Sequence, residues 1–276
     1  MILLNYNNNK LKNLTLREFF MNEQYLYFIC LKGNKDILKK EISLNFPDFT
    51  PSFSQKEFLT YKNKGQKLNV EDIKRLEIAF ALDWGESIGK LEKEFIEKKL
   101  KFQVSSFELP DEAPSRAYLK IAETCEALNI HSDSKINWIE FGSAPGGASL
   151  YLLNHFGSIY GVDPAKMKNI CLEHKNYTHS SKPIQNLSQE ELPEDVDYIA
   201  SDLNVNPKQG IKEVIRLSKK YKNNLKGVFY TFKLIKMEHL KILAEYKEMM
   251  EGMGYSKVFF KQLPSHKRET LLIALR

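Results

Sequence analysis

From Tyr118 onward the chain switches, segment by segment, between two hydrophobic periods, and few folds accept that pattern. Helical spacing of apolar residues predicts helices over Tyr118–Asn129, Ala148–Phe156, Pro164–Lys175, Pro207–Lys222 and Glu238–Met253. Short runs rich in β-branched and aromatic residues predict strands over Asn137–Gly142, Ser158–Asp163, Lys182–Leu187, Asp197–Leu203 and Gly227–Leu234. Repeated β–α pairs specify a mainly parallel, doubly wound α/β sheet with helices on both faces. The last two predicted strands, Tyr255–Lys261 and Thr270–Leu275, are joined by a short turn at Leu263-Pro264-Ser265-His266. They must therefore pair antiparallel.

The first hundred residues read differently. A strand over Tyr25–Leu31, a helix over Asp36–Phe46, a returning strand over Phe53–Tyr61 and a helix over Asn69–Trp84 predict a small ferredoxin-like α+β unit. A charged helix between Lys90 and Lys101 leads out of it. The expected division is an N-terminal α+β domain with its linking helix at 1–106 and a catalytic α/β domain at 107–276.

The sharpest local feature lies between the first strand and second helix of the alternating part: Gly142-Ser143-Ala144-Pro145-Gly146-Gly147. Glycines there permit positive φ and close backbone approach, and the helix that follows offers free N–H groups to a ligand. Asp163 follows Gly142 by 21 residues, at the end of the next strand, where a carboxylate can accept both hydroxyls of a ribose. The dinucleotide fingerprint G-x-G-x-x-G fails, since Ala144 stands at its second glycine. A P-loop fails too, because no Gly-Lys-Ser/Thr follows.

This loop is similar to the S-adenosylmethionine loop of the FtsJ/RrmJ-like ribose 2′-O-methyltransferases. The resemblance runs over roughly residues 107–276. It rests further on Leu109-Pro110-Asp111-Glu112-Ala113-Pro114-Ser115-Arg116 with Leu119-Lys120, on Asp202-Leu203-Asn204-Val205-Asn206-Pro207, and on Phe232-Lys233-Leu234. Within the family the chain is most similar to the RlmM branch, which methylates a cytidine of large-subunit ribosomal RNA. The resemblance implies a Rossmann-like class I methyltransferase domain with a final antiparallel hairpin. It implies S-adenosyl-L-methionine as cofactor, held by Gly142, Ser143, Ala144, Pro145, Gly146, Gly147, Asp163 and Asp202. It also implies a Lys-Asp-Lys-Glu catalytic set, here Lys120, Asp202, Lys233 and Glu269. Two positions depart from the family: Ala148 stands where relatives commonly carry Trp, and the third strand lacks an Asp, leaving Gln185 or Asn186 to meet the adenine. RlmM-like chains carry a THUMP RNA-binding domain between the two units; with 106 residues before the catalytic part, that domain is expected to be absent.

The proposed chemistry asks for such residue types. Methyl transfer from a sulfonium is an in-line displacement, and a ribose hydroxyl must lose its proton. Lys233, ending the fifth strand, is the expected base, with Lys120 and burial expected to depress its pKa. Asp202 orients the lysines, and Glu269 holds the second lysine or the ribose.

The charge distribution fits either a polyanionic partner or solvated, lysine-rich helix faces. Residues 207–276 hold 16 Lys or Arg against 6 Asp or Glu, so the net +6 of the chain is concentrated in its C-terminal quarter. Lys257, Lys261, Lys267 and Arg268 are the expected phosphate contacts, while Tyr230, Phe232, Phe259 and Phe260 read mainly as core. The partner expected is RNA, ribosomal RNA first. No metal-ligand spacing occurs among the six histidines. Scattered Cys30, Cys125 and Cys171 predict reduced, buried thiols in a cytoplasmic protein, and neither a signal peptide nor a membrane span is expected. Two other readings stay open from the sequence: a non-catalytic RNA-binding module that kept the fold, and a methyltransferase acting on protein or a small molecule.

Overall fold

The computed structural model describes residues 23–87, 93–100 and 104–276. Two sheets organise them. Strands β1 (Gln24–Ile29), β2 (Phe49–Gln55), β3 (Phe58–Asn63) and β4 (Asp83–Glu86) form one sheet in the order β2-β3-β1-β4, antiparallel throughout. Helix α1 (Lys35–Asn45) links β1 to β2, and the short α2 (Val70–Lys74) precedes β4. This is the split β-α-β-β-α-β connectivity of ferredoxin-like units. Helix α3 (Lys93–Leu100) packs Ile96 against Tyr27, Ile29 and Phe58, on the face of the sheet away from α1.

The second sheet has seven strands: β5 (Trp138–Phe141), β6 (Ile159–Val162), β7 (Tyr177–Ser180), β8 (Tyr198–Ser201), β9 (Gly227–Lys233), β10 (Lys257–Lys261) and β11 (Glu269–Leu275). Their order is β10-β11-β9-β8-β5-β6-β7. The five strands β5 to β9 run parallel, and β11 is antiparallel to both its neighbours. Helices α4 (Ala117–Ala127), α5 (Gly147–His155), α6 (Asn169–Leu172), α7 (Pro207–Ser218) and α8 (Leu243–Glu251) cover it. This is the Rossmann-like methyltransferase architecture with its closing antiparallel hairpin. The chain leaves β5 toward β6 on one side and returns later as β8 on the other. The crevice between the ends of β5 and β8 is therefore the topological switch point, where such sheets bind ligands.

Side-chain alternation splits the core in two. Val228, Tyr230 and Phe232 of β9 join Ile139, Ile199 and Leu272 on one face, while Phe229 joins Trp138, Leu271 and Ile273 on the other. Tyr230 and Phe232 are thus core residues. Phe259 and Phe260 are half-buried against the two clusters. All three cysteines are buried and unpaired as disulfides. Among the described residues no helix is long and apolar enough to cross a membrane.

Several elements differ from the periodicity reading, each for a tertiary reason. The stretch read as one strand over Phe53–Tyr61 is a hairpin that turns at Lys56, which takes φ 50°. The helix expected to reach Trp84 stops at Lys74. Asn69 caps its start with a reciprocal capping box to Asp72, but the buried carboxylate of Glu41 on α1 accepts the N–H groups of Ala79 and Phe80 at 2.6 and 3.0 Å. Those bonds hold that segment outside any helix and free Asp83–Glu86 to become β4. Lys182–Leu187 is no strand: Pro183 has no N–H to give a ladder, and Ile184–Asn186 forms a 3₁₀ turn. The third parallel strand is Tyr177–Ser180, at the sheet edge, where only Tyr177 is buried and no apolar alternation betrays it. Of the helix expected from Pro164, only Asn169–Leu172 forms. Glu238–Met253 divides into a 3₁₀ turn followed by α8, and α7 ends at Ser218 in another.

The two sheets meet. Ile37 of α1 and the Ala79-Phe80 segment lie in the same apolar cluster as β8, β9 and α8. Asn34, 1% exposed, donates its side-chain amide to the carbonyl of Lys267 at 2.5 Å.

Candidate active site

The glycine-rich segment is shaped by contacts to its neighbours. Gly142 has φ +83°, and a Cβ there would stand 2.7 Å from the carbonyl oxygen of Asp202, so only glycine lets the end of β5 lie against the end of β8. Gly146 has φ +114° and starts α5, with the Cys171 thiol where its Cβ would be. The Gly142 and Ser143 N–H groups reach the Val162 carbonyl at 2.8 and 3.3 Å, and Pro145 accepts from Lys168 N–H at 3.1 Å. Ser143 is buried, its hydroxyl facing the Met167 sulfur at 3.7 Å. Asp163, just past β6, clasps the loop: its two oxygens accept N–H from Ala144 at 3.1 Å and Ala165 at 2.8 Å. A carboxylate has about four acceptor positions, so each oxygen keeps one for a further donor.

The polar set at the other side of the crevice is assembled from four elements. Lys120 is on α4, Asp202 follows β8, Lys233 ends β9, and Glu269 opens β11 directly opposite Lys233 in the ladder. Lys120 Nζ lies 2.9 Å from Asp202 Oδ2 and 2.8 Å from Glu269 Oε1, and Lys233 Nζ lies 3.0 Å from Asp202 Oδ1. All four expected catalytic residues are thus one chain of ion pairs, Lys233–Asp202–Lys120–Glu269.

The electrostatics of the chain centre on Lys120 and Asp202. Burial works to lower the Lys120 pKa, but Asp202 and Glu269 prevail and raise it. Burial likewise opposes ionisation of Asp202, and the ammonium groups of Lys120 and Lys233 overcome it, holding that carboxyl below its ordinary range. Lys120 is therefore a fixed cation between two anions. Lys233 contacts a single carboxylate and is the more exposed of the two lysines, its side chain 29% accessible against 18%. Lys233 is thus the lysine of the pair that leaves a side open toward the crevice.

Gln185 and Asn186 sit exposed in the 3₁₀ turn after β7 rather than in a strand. The turn lies beyond the C-terminal end of β7, the edge that carries the rest of the site. The expected phosphate contacts are divided by the sheet. Lys267 and Arg268 are exposed in the turn beside Glu269, and the Arg268 carbonyl accepts Leu234 N–H at 2.8 Å, next to Lys233. Lys257 pairs with Leu275, which is also opposite Gly227, so it lies at the far edge, about 20 Å from Lys233 at 3.3 Å per residue. Lys257 does not border the site; Lys261, at the other end of β10, is on the correct edge.

Sequence reasoning missed the polar groups beneath this constellation. Glu140, inside the otherwise apolar β5, is fully buried and accepts the Ser149 hydroxyl at 2.5 Å. Burial pushes its pKa to about 8, with Asp202 and Asp163 adding to the rise and Ser149 opposing it. Glu123, one turn after Lys120 on α4, accepts both the N–H and the hydroxyl of Ser265, at 3.0 and 2.7 Å. Arg116 donates to the Ser265 carbonyl at 2.8 Å. The signal was present: a carboxylate in the middle of a buried strand, and two charges on the helix face that carries Lys120.

The donor set suits S-adenosylmethionine. It offers a loop closed over a helix start, a carboxylate with spare acceptor positions for ribose hydroxyls, and an anionic Asp202 across the crevice from that loop.

Comparison with known proteins points the same way. Residues 113–244 match the family model described as FtsJ-like methyltransferase. No curated protein sequence is significantly similar to the chain. Similar solved structures include a hemolysin candidate from Lactococcus lactis, at 12% identity over 60% of this chain and 89% of that one, TM-score 0.48. Magnesium protoporphyrin IX methyltransferase from Synechocystis PCC 6803 with bound SAM aligns at 12% identity over 69% and 86%, TM-score 0.40. A Burkholderia thailandensis 1,6-didemethyltoxoflavin-N1-methyltransferase aligns at 13% over 60% and 79%, TM-score 0.43. Likeness this distant says nothing about what this chain acts on.

Proposed function

We propose, from the premise that residues 113–244 form an FtsJ-like methyltransferase domain, that this S-adenosylmethionine-dependent enzyme methylates a ribose 2′-hydroxyl in RNA, ribosomal RNA foremost. The observation that carries the reading is the Lys233–Asp202–Lys120–Glu269 chain at the switch point, beside the glycine loop. The cofactor supplies an electrophilic methyl group on a sulfonium. Lys233, once it has given up its own proton, would accept the proton of a ribose hydroxyl held toward that methyl group. Asp202 fixes Lys233 from behind. Lys120 keeps Asp202 ionised and ties it to Glu269, which stands opposite Lys233 in the β9–β11 ladder. Gly142 to Gly147, Asp163 and Gln185 hold the cofactor in this reading. Lys261, Lys267 and Arg268 meet phosphates at the rim, where they add salt-sensitive affinity without reading sequence. The four-stranded unit, within residues 1–106, serves as a separate domain that steadies this rim.

The test is nucleoside mass spectrometry on RNA from cells with and without the gene. Loss of one 2′-O-methylated nucleotide is expected. An unchanged inventory of methylated nucleosides would remove RNA as the substrate.

A further inference from the structure

Beside the ion-pair chain lies a small, half-open pocket of about 30 Å³, lined by Lys120, Glu140, Ser201, Asp202, Thr231 and His266 among others. That volume holds roughly one or two waters. His266 is 4% exposed, in the turn between β10 and β11. The N–H of Leu263 donates to its Nδ1 at 3.2 Å, so the ring proton is on Nε2. That Nε2 is buried with no hydrogen bond of full geometry, although the Glu269 backbone lies close enough to the ring to favour its proton, and the hydroxyl of Ser201 on the pocket wall has no partner. Burial first, and then the nearby charge of Lys120, push the His266 pKa down to about 3, so the ring stays neutral and is no proton carrier.

The turn itself is not free to move. Glu123 and Arg116 of α4 grip Ser265, and α4 also carries Lys120, so cavity roof and ammonium share one frame. Lys120 has three N–H donors, and its two carboxylates occupy two of them.

We infer that this cavity is a built water site, in which a water bridges the Nε2–H of His266 and the third N–H of Lys120, and that His266 is thereby a positioning residue for the catalytic chain. The water accepts from both donors and gives its hydrogens to oxygen acceptors on the wall, Ser201 Oγ among them. The arrangement leaves no buried donor unpaired and stops Lys120 from tilting away from Asp202. Leaving such groups unpaired is what a low-dielectric interior penalises most. The inference rests on the proposed reaction for its kinetic arm only.

Two measurements decide it. A high-resolution crystal structure of the full chain should show an ordered water within hydrogen-bond distance of His266 Nε2 and Lys120 Nζ; a dry cavity overturns the proposal. Methyl transfer from labelled S-adenosylmethionine to total RNA of cells lacking the gene then reads the consequence. His266→Leu should lower kcat about 10- to 100-fold, the scale expected of a misplaced catalytic group, with little change in KM for the cofactor. His266→Gln, which keeps an N–H donor near the same place, should restore most of the rate. A Leu variant with wild-type kcat, or a Gln variant as slow as Leu, counts against the positioning role. Should the Leu variant fail to fold, the crystal water and the Gln variant still decide. Wild-type enzyme inactive on all RNA defeats the proposed reaction, while the water remains to be seen or not.

Discussion

Lys233 and Lys120 are the same residue type 2.8 to 3.0 Å from carboxylates, yet their surroundings assign them different work. Lys120 is clamped between two anions and stays charged, whereas Lys233 has one anion and an open side. Lys233→Ala should therefore abolish methyl transfer while calorimetry finds cofactor affinity nearly unchanged; retained turnover would falsify its role as base. Glu140 gives a separate handle at this scale. Its folded pKa, about 8, lies above the ordinary value of 4.5, so the protonated form stabilises the fold. That contribution is complete below about pH 4.5 and is lost as pH rises toward 8, amounting to a few kcal/mol at most. Glu140→Gln, which can still accept from Ser149, should match the wild type in melting temperature at pH 5 and exceed it at pH 8. A pH-independent difference would show that Glu140 does not titrate in that window. The four polar residues of the site were legible through the family resemblance, and three of them, Asp202, Lys233 and Glu269, also stand at strand ends, while Lys120 lies within α4. Glu140 was marked only as a carboxylate inside an apolar strand, and His266 by nothing local, since burial is a property of the assembled sheet.

At the level of elements, the mainly parallel sheet, the closing hairpin and the helices flanking the glycine loop all follow from periodicity read along the chain, whereas the strand order is a property of the folded sheet. What periodicity missed lies where a distant polar group takes over the backbone. Glu41 is the clearest case: apolar residues at Ile73, Leu76, Ala79 and Phe80 have helical spacing, but two N–H groups of that run are bonded to a carboxylate on another helix. Glu41→Ala strips both acceptors from buried donors and should cost about 2–6 kcal/mol in urea denaturation, at roughly 1–3 kcal/mol for each unpaired group. A loss below about 0.5 kcal/mol, the range of an ordinary surface change, would show that solvent replaces the carboxylate. The edge strand β7 went unread for the opposite reason, because only Tyr177 of its four residues is buried.

Across the whole molecule, the four-stranded sheet is joined to the methyltransferase sheet by apolar packing of Ile37, Ala79 and Phe80 and by the amide of Asn34. Surfaces of that kind couple unfolding. Calorimetry should find a single transition, with calorimetric and van't Hoff enthalpies in agreement; two resolved transitions would mean the sheets melt independently. The Asn34 bond also bears on how mutations in this gene should be interpreted. Its acceptor, the Lys267 carbonyl, lies two residues before Glu269, so a lesion 233 positions upstream pulls directly on the turn that leads into a carboxylate of the ion-pair chain. A loss-of-function allele at Asn34 would therefore share its phenotype with alleles of Glu269, and a genetic map alone would credit the first sheet with chemistry that is done by the second.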